Sequence, residues 1–107
     1  MTDWINAGPI DALPDGERKV IAAEDHDILL INSEGVFYAV EDQCSHQALP
    51  LADGPIDGDQ ITCPFHNAEF CLKSGEALSA PAFEAIACFD IKTQDGVIWV
   101  SPTPNNA

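Results

Sequence analysis

Two couplets of cysteine and histidine, Cys44-Ser45-His46 and Cys63-Pro64-Phe65-His66, constrain this chain more than any other feature. Sixteen residues separate His46 from Cys63. Each couplet offers one thiolate, the ligating form of cysteine, and one neutral imidazole. The short gaps let both side chains of each turn face one centre. A fold that uses all four residues must therefore bring two loops together and hold them there. The chain has 107 residues, one domain (1–107) with a modest core, so a cross-link of this kind contributes noticeably to its stability.

Two sulfur and two nitrogen donors admit two kinds of centre. One iron of a 2Fe–2S cluster can take both cysteines and the other both histidines, the Rieske arrangement. Exchanging two thiolates for two imidazoles removes negative charge and raises the reduction potential above that of an all-cysteine cluster. The rival is a structural Cys2His2 zinc site, which makes the chain a zinc-stabilised or regulatory binding module. Zinc fingers pair cysteine with cysteine and histidine with histidine along the chain, whereas here each cysteine is paired with a histidine. That mixed pairing favours iron–sulfur. An oxygenase needs in addition a mononuclear iron held by two histidines and a carboxylate. With His46 and His66 engaged only His26 is left, between Asp25 and Asp27 in a turn, so the chain reads as a carrier and not an enzyme.

Around the couplets the pattern is all-β. Short apolar and β-branched runs at 18–23, 28–32, 36–40, 85–93 and 97–101 alternate with turn signals. Asn32-Ser33-Glu34-Gly35 and Thr93-Gln94-Asp95-Gly96 read as hairpin turns, and Leu13-Pro14-Asp15-Gly16 as a tight turn. No stretch sustains a long amphipathic helix. The expected architecture is an antiparallel β-sandwich or barrel base of eight or more short strands. Residues 42–82, rich in glycine and proline, read as a small cluster-binding subdomain inserted in that base, with short strands at 60–63 and 69–72. Trp4, Phe37, Tyr38, Phe89 and Trp99 are core candidates. The tail from Pro102 is expected to fray.

Eighteen acids face only Arg18, Lys19, Lys73 and Lys92, a net charge of −14. Such a surface repels phosphate backbones, which argues against nucleic acid as partner. It either steers the chain toward basic patches on other proteins or serves solubility alone. No apolar run approaches the roughly 20 residues that cross a bilayer, and the N-terminus lacks a signal peptide's features, so no membrane partner and a cytoplasmic location are expected. In a reducing compartment cysteines bind metal, react or pack. Cys71 and Cys88 lie in apolar surroundings and read as buried packing.

The chain resembles the Rieske-type ferredoxins of bacterial aromatic-ring-hydroxylating dioxygenases. The resemblance covers nearly its whole length and rests on Cys44-x-His46, Cys63-Pro64-x-His66, Asp53-Gly54, Phe70 and Ser74-Gly75-Glu76. It implies that Cys44 and Cys63 bind an inner iron of one 2Fe–2S cluster, that His46 and His66 bind an outer iron near the surface, and that the segment of Pro81 forms a third covering loop. It also implies two partners for a monomeric one-electron carrier, an NAD(P)H-dependent flavin reductase and a terminal oxygenase. Family members often carry Gly after each histidine; here those positions are Gln47 and Asn67, and Asn tolerates a left-handed backbone. Respiratory Rieske proteins add a loop disulfide, whose places here are Ala48 or Leu49 and Phe65. They also add hydroxyls that bond to sulfur, where this chain has Ala68 and Phe70. With fewer donors to sulfur, a potential at the low end of the Rieske range, roughly −150 mV, is expected. Pro64 and Phe65 are candidates to shield the cluster, Leu49 and Pro50 to form an apolar docking rim.

Overall fold

The computed structural model describes residues 4–23, 27–43, 50–65, 67–79 and 84–105. Among them lie nine strands and one short 3-10 turn, Ile10–Ala12. The strands are β1 (Ile5–Pro9), β2 (Arg18–Ala22), β3 (Asp27–Ser33), β4 (Val36–Glu41), β5 (Ile56–Asp57), β6 (Gln60–Thr62), β7 (Glu69–Cys71), β8 (Phe89–Gln94) and β9 (Val97–Pro104). They form three antiparallel sheets of three strands, ordered β1-β9-β8, β2-β3-β4 and β5-β6-β7. The first two meet where Val40 bridges Cys88 and Glu41 N–H donates to Ala87 C=O at 2.9 Å.

The centre of the architecture is β3. Its run Ile28-Leu29-Leu30-Ile31 has no polar alternation because both faces are covered. Ile28 and Leu30 face one core with Ala7, Leu13, Ala39, Phe89, Ile98 and Val100. Leu29 and Ile31 face a second core with Val40, Leu51, Ile61, Cys63, Ala68, Phe70, Leu72, Ile86 and Cys88. The period of two along one strand therefore divides the interior, and the second core is where the small sheet packs on the base.

Both expected hairpins are present. Ser33 pairs with Val36 and Gln94 with Val97, so each turn has two residues, Glu34-Gly35 and Asp95-Gly96, all four at positive φ. That is the backbone hand that matches the twist of the flanking strands.

One strand was not expected, and three expectations are corrected. β1 carries no strand pattern in its sequence; β9 draws it in as a partner, with an irregular register between Asn6 and Pro9. β8 begins at Phe89 and not at 85, because Ala87 donates to the Glu41 carboxylate (Oε1, 2.8 Å) instead of continuing the ladder. The tail does not fray at Pro102. β9 runs to Pro104, and Asn105 donates from its backbone to Cys88 C=O and from its side chain to Asp90, each at 2.8 Å. β1 pairs β9 only over Val97 to Val100, so the prolines lie where one side of β9 is an edge. Finally, Trp4 and Trp99 are half-buried and belong to neither core. Trp99 alternates with the inward Ile98 and Val100, and the ammonium of Lys92 lies 4.5 Å from the ring centroid of Trp4.

Candidate metal centre

Cys63 follows β6 directly and is fully buried in the second core. The turn it opens is closed by the backbone: Cys63 N–H donates to Ala68 C=O at 2.7 Å and Asn67 N–H donates to Cys63 C=O at 3.0 Å. Asn67 adopts φ 60°, the left-handed conformation expected at the position after the second histidine. Pro64, Phe65 and Asn67 are exposed while Cys63 and Ala68 are buried, so this turn has a dry inner end and a wet outer end. Phe65, next to the exposed Pro64, is 58% exposed.

Cys44, His46 and His66 lie outside the described residues, as do His26, Gln47, Ala48, Leu49 and Pro81. The chain on either side of segment 44–49 is nevertheless fixed. Asp42 N–H donates to Asp27 C=O at 2.9 Å, and Leu51 N–H donates to Asp42 Oδ1 at 2.8 Å. The segment thus leaves and returns at one place. Leu51 is fully buried in the same core as Cys63, which brings the two couplets' anchor points together.

The return path is held as tightly. Gly54 N–H donates to Leu51 C=O at 2.8 Å, and a Cβ on Gly54 would overlap the carbonyl oxygen of Thr62, the residue before Cys63. From the base, Arg18 Nη1 donates to the carbonyls of Ala52 and Gly54 at 2.8 and 2.5 Å, and Ser33 Oγ donates to Gly58 C=O at 2.6 Å. Sequence reasoning missed Arg18, Ser33 and Asp42. For Asp42 a signal existed, an acidic turn residue just before a couplet; Arg18 and Ser33 act across the fold and left none.

The other two cysteines differ from each other. Cys88 is buried, its thiol 3.8 Å from Leu72 C=O. Burial, then the charges of Cys71 and Glu41, push its pKa up to about 11. Cys71 is only half-buried at the end of β7, which corrects the expectation of full burial. Burial raises its pKa, but hydrogen bonds from the Ser74 hydroxyl and from the Ser74 and Lys73 amides outweigh that and hold it below the ordinary thiol value.

These features fit a metal group with two unlike ends. A thiol ligand in an apolar wall suits the end that must stay dry, and a turn that opens to water one residue later suits imidazole ligands at the other. Ala68 and Phe70, both fully buried with Cys63, bring no hydroxyl to it.

Comparison with known proteins agrees. A family model described as the Rieske [2Fe-2S] domain matches residues 3–90. The 3-phenylpropionate/cinnamic acid dioxygenase ferredoxin subunit of Photorhabdus laumondii subsp. laumondii is 37% identical over 94 residues, covering 86% of this chain and 88% of that protein. A chain from the complex of reduced oxygenase and oxidised ferredoxin in carbazole 1,9a-dioxygenase superposes with a TM-score of 0.90 at 25% identity, covering 95% of both chains. The Sphingomonas yanoikuyae B1 ferredoxin superposes with a TM-score of 0.84 at 25% identity, covering 92% of this chain and 98% of that one. Residue pattern, fold and relatives converge: the chain belongs to the Rieske [2Fe-2S] domain family, as a ferredoxin with one 2Fe–2S cluster that serves as an electron-transfer component and not as a catalytic subunit.

Proposed function

We propose that this chain carries single electrons from an NAD(P)H-dependent flavin reductase to a terminal Rieske non-haem iron oxygenase, with Cys44, His46, Cys63 and His66 as the four cluster ligands. The observation that carries this reading is the position of Cys63, fully buried on a turn that becomes exposed at the next residue. The names of the relatives support the oxygenase as partner, since one is a dioxygenase ferredoxin subunit and another structure holds a ferredoxin with its oxygenase. Residues 42–82 act as the cluster-binding unit within one domain, 1–107, and the carrier works as a monomer in the cytoplasm. Among the described residues no helix is long and apolar enough to cross a membrane.

When bound, such a cluster stores and releases one electron. The protein's part is to exclude water from the inner sulfur ligands, to keep the imidazole edge at the surface, and to offer an apolar contact beside it. Pro64 and Phe65 serve docking in this reading, because both are exposed. Ala68 and Phe70 withhold the hydroxyls that would stabilise the added electron, so the potential lies near the low end of the Rieske range, about −150 mV.

Purified protein is expected to be red-brown and, when reduced, to give a rhombic EPR signal with average g near about 1.9. Cys63→Ser abolishes the native spectrum, and Phe65→Ala leaves it intact while slowing electron delivery to the oxygenase. A colourless zinc-containing protein overturns the reading. A midpoint above about +100 mV overturns the account of the potential.

A further inference from the structure

We propose that Arg18 and Asp42 are positioning residues of the metal centre, fixing the two residues that flank the first ligand segment, Asp42 and Leu51, relative to Cys63; the proposal rests on the four-ligand reading above. Asp42 ties the two ends of the first ligand segment to each other through Leu51 N–H, and its own N–H ties them to β3. Arg18 reaches from β2 in the base to the next turn, where its guanidinium binds the carbonyls of Ala52 and Gly54. That turn lies between the return of the first segment and β6, the strand that leads into Cys63, and Gly54 is pressed against the carbonyl of Thr62. A shift at 52–54 therefore moves both ligand segments.

The choice of partner marks Arg18 as more than a surface charge. The chain has eighteen acids and four Lys and Arg residues, and Asp15, Glu34 and Asp57 line the same cavity of about 260 Å³ as Arg18. Its hydrogen bonds nevertheless go to two backbone carbonyls. Both bonds come from one guanidinium nitrogen, Nη1, whose two N–H donors lie in a fixed plane and hold the two carbonyls at once. A lysine ammonium has donors enough for both carbonyls but sits on a shorter stem and lacks the rigid plane, which makes Arg18→Lys an informative variant.

The test uses cluster-loaded protein purified without oxygen. Arg18→Met, Arg18→Lys, Asp42→Ala and Asp42→Asn are compared with Ile98→Val, a change in the other core that lowers stability alone. Two readouts are taken, the EPR line shape of the reduced protein and the rate at which visible absorbance bleaches with an iron chelator. Arg18→Met and Asp42→Ala are expected to release the cluster about 10–100-fold faster and to broaden the EPR g values. Asp42→Asn keeps an Oδ1 acceptor and stays near wild type, Arg18→Lys falls between, and Ile98→Val changes neither readout. If Arg18→Met or Asp42→Ala fails to fold, Arg18→Lys decides, and a release rate and line shape equal to wild type in that variant overturn the proposal. Wild-type line shape and release rate in both truncations overturn the proposal, as does equal acceleration by Ile98→Val at the same loss of Tm. A wild-type protein without cluster overturns the four-ligand reading itself, and this proposal with it.

Discussion

The two thiols that the four-ligand reading leaves over, Cys71 and Cys88, separate by environment. The buried Cys88, with its pKa pushed up to about 11, stays protonated and unreactive at neutral pH. Cys71, half-buried and held below the ordinary thiol value by the Ser74 and Lys73 donors, is the nucleophilic one. Alkylation of the folded, cluster-loaded protein at neutral pH, mapped by mass spectrometry, is expected to label Cys71, to spare Cys88, and to spare Cys44 and Cys63 as ligands. Labelling of Cys63 without bleaching contradicts its role. The sign of the pH dependence follows. Above about pH 9 an unfolded chain releases the Cys88 proton that the folded one keeps up to about 11. The unfolded state then holds fewer protons, so Cys88's contribution to stability is lost as pH rises through that window, and Cys71 acts with the opposite sign. At this scale the sequence was legible where chemistry is local. Cys63 stood out by its couplet, and Asn67 by its tolerance of φ 60°. Phe65's exposure and Arg18's carbonyl partners were not legible, because both depend on where distant backbone passes.

Strands and turns follow the same division. β3 was legible because four consecutive apolar residues bounded by polar ones suit a strand covered on both faces. β1, with Gly8 and Pro9 in it, is a strand only because β9 lies beside it, and no local pattern announces that. The two hairpin turns were legible by their glycines, yet their first residues differ in fitness. Asp95 tolerates its φ of 54°, whereas Glu34, at φ 56°, has no short polar side chain to favour it. Glu34→Asn keeps the backbone bond to Asp15 Oδ1 (2.6 Å) and relieves the left-handed backbone. It is expected to raise stability by about 0.5–1 kcal/mol in denaturant unfolding, and no gain would show that the turn is not under strain. Gly54→Ala is the counterpart. Its Cβ meets a fixed carbonyl and not a flexible side chain, so a loss of about 3 kcal/mol or more is expected, together with loss of the cluster spectrum.

For the molecule as a whole, charge is the dominant unbalanced quantity. Among the described residues the ion pair is Lys73–Asp59, at 4.0 Å with both side chains well exposed, which contributes little. Arg18 is turned onto backbone carbonyls and Lys92 onto Trp4, so the excess of fourteen negative charges stays on the surface. The molecule measures 40 × 30 × 18 Å. At 10 mM ionic strength the Debye length is about 30 Å, so charges on opposite sides still repel; at 0.15 M it is about 8 Å and only neighbours do. Two effects of opposite sign follow. Thermal stability is expected to rise by a few degrees from 10 mM to 0.15 M sodium chloride, because screening relieves self-repulsion. If the same acids steer the carrier to basic docking faces, its second-order rate of electron transfer to the oxygenase falls about tenfold or more over the same range. Stopped-flow oxidation and thermal melts on one set of samples measure both. A rate that does not change with salt while Tm rises assigns the acidity to solubility alone; a rate that falls while Tm rises assigns it to recognition, since screening cannot strengthen the fold and weaken the encounter unless the partner's face is positive.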